Sequence, residues 1–141
     1  METFQLAINI NAPKEKVWEA LWKDENYRKW TAVFTEGSYA ESDWQEGSKI
    51  RFLSPGGDGM FGTIKKMKAN EQMIFEHQGE IKNSVEEVQD WKGATESYFL
   101  TENNGITTLR CEMYTSEEFK EYFQDTLPKA LAIVKQIAEQ D

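Results

Sequence analysis

Ser54-Pro55-Gly56-Gly57-Asp58-Gly59-Met60-Phe61-Gly62 spells G-x-G-x-x-G from Gly57 to Gly62. A dinucleotide fingerprint with this spelling follows a strand and opens a helix, because N–H groups at the helix amino terminus hold the pyrophosphate. Here Lys49-Ile50-Arg51-Phe52-Leu53 precedes the glycines and Gly62-Thr63-Ile64-Lys65-Lys66 follows them, and both segments are strand-like. No helix begins at this point, and Asp58 would put a negative charge where a phosphate belongs. The glycines therefore turn a hairpin between two antiparallel strands.

Working outward, the spacing predicts strands near 34–41, 48–54, 60–68, 72–81, 94–102 and 106–115, successive neighbours in a meander. Asn103-Asn104-Gly105 joins the last two, since Asn-Gly accepts the positive φ angles of a tight hairpin. Ahead of them, residues 3–10 alternate strictly. Phe4, Leu6, Ile8 and Ile10 share one face and Thr3, Gln5, Ala7 and Asn9 the other, the pattern of a half-buried strand.

Helices bracket the sheet. Pro13 suits a first helical position, and Val17, Trp18, Ala20, Leu21 and Trp22 follow at helical spacing. Asp24 is placed to cap a second short helix carrying Tyr27 and Trp30. At the far end, Thr115 and Glu118 have capping-box spacing, and the strongest stripe runs through Leu127, Ala130, Leu131, Ile133, Val134, Ile137 and Ala138. A proline inside a helix costs about 3 kcal/mol. The expectation is a break near Asp125 and a fresh helix with Pro128 in its first turn. The order predicted is strand, two helices, six strands and a final helix: one α+β domain over residues 1–141.

The 141 residues are enough for one sizeable core. With 39% hydrophobic and 13% aromatic residues the chain can fold despite its heavy charge. Sixteen basic against 25 acidic side chains give a net charge of -9, which repels phosphate backbones and anionic membranes. Neither nucleic acid nor a membrane is expected as partner. No apolar run approaches the ~20 residues of a spanning helix, and no secretory signal is predicted. Cys111 is the single cysteine, so no internal disulfide is possible and a reducing cytoplasm is the expected setting.

Chemistry-bearing residues are few. His77 and Cys111 are the only candidates for a His/Cys zinc site, which needs several ligands. The acidic clusters lack the calcium-loop pattern, so no metal or cofactor is expected. Cys111 shares a strand face with Leu109 and Met113 and reads as a small apolar residue. His77 follows Met73 and Phe75 at two-residue spacing and should point inward, either as a hydrogen-bonded core histidine or as a polar contact for a guest. The many aromatics fit a well-filled core. They also fit a pocket walled by large side chains, with His77 and Tyr98 to orient a ligand.

The opening strand with Asn11-Ala12-Pro13-Lys14-Glu15-Lys16-Val17-Trp18 and a second helix closing on Trp30 resembles the START-like (SRPBCC) superfamily. Trp44-Gln45-Glu46-Gly47-Ser48 is similar to the W-x-x-G-S turn of the branch related to the carboxy-terminal domain of the activator of heat-shock chaperone ATPase. Residues 75–83, 91–98 and 119–131 resemble its bacterial single-domain subgroup, and the likeness spans essentially the whole chain. It implies a helix-grip fold, an antiparallel sheet curved around a long C-terminal helix with a cavity between. Family members variously bind hydrophobic ligands, act as polyketide cyclases or aromatases, or stimulate a chaperone. The chaperone-activating members carry an amino-terminal domain that these 141 residues do not include.

On that fold, face assignment nominates cavity walls. The sheet supplies Phe52, Ile64, Phe75, His77, Tyr98, Leu109, Cys111 and Met113, the helix supplies Leu127, Leu131 and Val134, and Trp30 sits near the mouth. The leading expectation is non-enzymatic binding of a small hydrophobic or aromatic molecule. The alternatives are a cyclase-like enzyme using His77 or a buried carboxylate, and a chaperone-regulating module meeting a basic partner through its acidic exterior.

Overall fold

The computed structural model describes residues 1–140. Strand β1 (Glu2–Ile10) buries the face carrying Phe4, Leu6, Ile8 and Ile10 and exposes the other. Helices α1 (Lys14–Trp22) and α2 (Asp24–Thr31) follow, separated only by Lys23 with an extended ψ of 132°. Pro13 takes the cap position of α1, one residue before the place expected for it. Its fixed φ suits either position, and the Lys14 N–H is satisfied by Glu102 Oε1 at 2.8 Å. Asp24 is likewise inside α2 and not its cap, and pairs with Arg28 one turn on at 2.9 Å. The indole N–H of Trp30 donates to Leu21 O at 2.9 Å, locking the two short helices together.

Seven strands follow: β2 (Tyr39–Ser42), β3 (Lys49–Leu53), β4 (Gly59–Lys68), β5 (Gln72–Lys82), β6 (Val85–Val88), β7 (Thr95–Asn103) and β8 (Ile106–Thr115). The sheet order is β1-β8-β7-β5-β4-β3-β2, with β6 paired to β5 off that path. Every pairing is antiparallel. The first half of β5 pairs with β7 and its second half with β6, so β5 serves both along one edge.

Two expectations are corrected here. β6 is a seventh strand that the sequence pattern misses. Its valines are exposed, so it carries no apolar alternation, and it depends on a two-residue turn at Asn83 and Ser84 with φ of 52° and 65°. β2 starts at Tyr39, not near residue 34. The chain leaves α2 through helical turns, with Phe34 N–H and Ser38 N–H donating to Thr31 O and Thr35 O.

The glycine stretch is a hairpin loop. Gly56 and Gly57 have φ of 99° and 89°, and Ser54 N–H closes onto Asp58 O at 2.8 Å. Gly62 sits at a β-bulge, where an added Cβ would lie 2.1 Å from Glu76 O. Bulges bend a strand and increase its twist. The glycines serve sheet curvature and close strand approach.

Helix α3 (Glu117–Ala138) runs unbroken for 22 residues with Pro128 inside it, which overturns the expected break near Asp125. The cost of a mid-helix proline, about 3 kcal/mol, is outweighed by its neighbours. Leu127, Leu131 and Val134 are fully buried, and each contributes roughly 1.5–3 kcal/mol. The cap is Ser116, whose hydroxyl accepts from Phe119 N–H at 3.4 Å, in place of the Thr115/Glu118 box. α3 lies across the concave face of the sheet and packs on α1, α2, β1 and β8. This is the helix-grip α+β architecture. No helix among the described residues is long and apolar enough to cross a membrane.

Candidate functional site

The second half of α3 buries Leu127, Ala130, Leu131 and Val134, whereas its first half is mostly exposed. Beside that first half a cavity of about 280 Å³ opens. Tyr27, Trp30 and Thr31 of α2 and Phe34 of the following turn form one wall, and Phe119, Tyr122 and Phe123 of α3 another. The sheet side is made by Phe52, Met60, His77, Ala94, Glu96 and Met113, with Trp91 from the loop before β7. At the rim, Phe34 packs against Tyr122 and Phe123 with ring centroids 6.2 and 6.0 Å apart, and Trp91 meets Phe119 at 6.3 Å. Phe119 and Tyr122 remain 37% and 43% exposed, large apolar groups facing water beside an apolar hollow.

Of the twelve residues nominated from sequence, Trp30, Phe52, His77 and Met113 line this cavity. Ile64, Phe75, Tyr98, Leu109, Cys111, Leu127, Leu131 and Val134 lie in the close-packed core beyond it. All twelve are on the inward faces that period two and period 3.6 assign. Periodicity gives the face of an element but not the point along its length at which two elements part. The eight core residues are sealed by their packing, and the four lining residues border the hollow.

The polar centre of the cavity is Glu96, which the sequence reading did not single out. The register pairs Phe75 with Glu96 and Met73 with Tyr98 across β5 and β7. His77, two residues beyond Phe75 on the same face, therefore sits diagonal to Glu96. His77 Nε2 lies 3.1 Å from Glu96 Oε1, and Tyr98 donates its hydroxyl to Glu96 Oε2. Phe52 covers the imidazole with ring centroids 5.2 Å apart. His77 Nδ1 is buried with no hydrogen-bond partner among the described residues. The detectable signal was parity: Glu96 shares its face with Ala94, Tyr98 and Leu100, an acidic residue on an apolar stripe.

The charge of Glu96 reaches its neighbours. Burial, and then that charge, push the phenols of Tyr98 and Tyr27 well above their ordinary value of 10.0. The Cys111 thiol is raised likewise, by burial first and Glu96 second, with Arg110 opposing. A thiol held protonated in the core is inert as a nucleophile. Among the described residues no group of three or more His, Cys, Asp or Glu side chains converges as a metal site.

Residues 11–136 match the family model described as Activator of Hsp90 ATPase homolog 1-like protein. No curated protein matches the chain. Among solved structures, the chain is similar to protein MLL2253 from Mesorhizobium loti (TM-score 0.76, 14% identity, 96% of each chain covered). It is also similar to the Aha1 dimer from Colwellia psychrerythraea (TM-score 0.72, 21% identity, 99% of this chain and 98% of that one). A third likeness is to CalU16 from Micromonospora echinospora (TM-score 0.72, 17% identity, 97% and 76%). At these identities the structural matches speak for the fold alone.

Proposed function

This chain belongs to the family of activator of Hsp90 ATPase homolog 1-like proteins, and from that premise we propose that it is a binding protein for a small aromatic or hydrophobic molecule. The observation that carries the reading is the cavity itself: about 280 Å³, walled by Tyr27, Trp30, Phe34, Phe52, Trp91 and Phe123, with Glu96 as its one acidic group. Ligand sites are typically apolar hollows of roughly 300–1,000 Å³ with a few placed polar groups, and this one is at the small end. A cavity of about 150 Å³ already accepts benzene, so the expected guest has one or two rings.

A thermal-shift screen of the full chain against polyketide-like aromatics, flavonoids and fatty acids tests the proposal. Compact aromatics should raise the melting temperature, as preferential binding to the native state requires. If none of these classes does, and a ligand-free crystal structure shows side chains filling the hollow, the proposal fails.

A second reading, a cyclase-like enzyme in the same cavity, draws on the hydrogen-bonded chain His77–Glu96–Tyr98, which a passive apolar pocket does not require. An imidazole and a carboxylate in contact can relay a proton to a bound substrate. Turnover abolished by Glu96→Gln with ligand affinity retained would favour this reading over simple binding.

A further inference from the structure

The charges facing the cavity are one-sided. Glu96 is the only carboxylate among the described residues that line it, and none of them is a lysine or arginine. Its one contact with a basic side chain among the described residues is His77, whose Nε2 lies 3.1 Å from Oε1. Each carboxylate oxygen can accept two hydrogen bonds; His77 takes one site on Oε1 and Tyr98 one on Oε2, which leaves capacity on both. The Glu96 side chain is 20% exposed, so it is partly desolvated yet reachable.

An anionic guest placed here would meet this carboxylate with no lysine or arginine among the lining residues to offset it, and with His77 already engaged by it. A cationic guest would meet the carboxylate, the faces of several aromatic rings, and an exterior of net charge -9 that enriches cations near the mouth. We infer that the cavity selects a small aromatic amine, its rings held among Trp30, Phe34 and Phe52 and its ammonium group donating to Glu96. The inference deepens the binding reading above and rests on it.

Three probes that share one ring system separate the two claims: 1-naphthylmethylamine, 1-naphthalenemethanol and 1-naphthoate, titrated calorimetrically into the full chain. The amine is expected to bind at least tenfold more tightly than the naphthoate. Glu96→Gln, which keeps the shape, should weaken the amine tenfold or more and leave the alcohol within about twofold. Naphthoate binding as tightly as the amine, or amine affinity unchanged in Glu96→Gln, overturns the charge selection while alcohol binding still supports the cavity. Binding of none of the three overturns both. Should Glu96→Gln not fold, the amine-to-naphthoate ratio of the wild-type chain decides alone.

Discussion

The side chains of His77 and Glu96 meet diagonally across β5 and β7, with Nε2 and Oε1 3.1 Å apart, although they stand 19 positions apart in the chain. The other oxygen of Glu96 is held by the buried hydroxyl of Tyr98. One carboxylate thus satisfies two polar groups at the edge of the aromatic core.

Removing that carboxylate should cost more than removing one of its donors. Glu96→Ala leaves both the Tyr98 hydroxyl and the His77 ring unpaired, and a buried unsatisfied group costs about 1–3 kcal/mol. Tyr98→Phe deletes one hydrogen bond and should cost about 1 kcal/mol. Urea unfolding of the two variants gives the comparison. Equal losses would mean that Glu96 does not support its neighbours.

Alkaline pH should unfold the protein through Tyr27 and Tyr98. Their folded-state values are raised, by burial and then by Glu96. Below the ordinary phenol value of 10.0 both states are protonated and stability is complete. Above it the unfolded chain releases protons that the folded chain keeps, so stability falls by about 1.4 kcal/mol per pH unit for each phenol. Of the five tyrosines, these two should ionise only as the fold opens. In a titration at 295 nm their share of the absorbance change should coincide with loss of ellipticity. Complete titration of an intact fold would contradict this.

Enlarging a residue should have opposite consequences at two alanines. Ala94 lines the cavity and Ala130 is sealed in the core. Ala94→Leu should change stability by less than about 1 kcal/mol and abolish ligand-induced stabilisation, because the added carbons occupy empty space. Ala130→Leu overpacks and should cost about 1–3 kcal/mol. Melting curves with and without an aromatic ligand distinguish the two.

Replacing Pro128 should help the fold. It stands exposed inside α3, and Pro128→Ala restores a backbone donor toward Gln124. Against the interior proline cost of about 3 kcal/mol stands a gain in unfolded-chain entropy of about 0.4–1 kcal/mol. A net stabilisation of about 2–2.6 kcal/mol is expected in chemical denaturation. Destabilisation would show that the fold depends on the proline at this position.

The order of elements was legible because the residues that form them repeat at fixed periods. β1 alternates, α1 carries its apolar residues three and four apart, and Asn104 and Gly105 take the positive φ values their hairpin demands, 54° and 80°. The misses have local causes. β6 is too exposed to show a pattern, and Pro128 announced a helix break that buried leucines on either side override. That override also hid Phe119 and Phe123, which continue the four-residue row of Leu127 and Leu131 toward the amino end of the helix.

The sequence by itself determined which side of each strand and helix turns inward and that the glycine stretch is a turn. These follow from backbone geometry, which sets the spacing of side chains whatever surrounds them. Only the tertiary structure decided where the cavity opens and that His77, Glu96 and Tyr98 converge at its edge. Those relations depend on strand register, on the bulges that bend β4, and on the line that α3 takes across the sheet. Each is a sum of contacts between residues distant in the chain, and no local period encodes it.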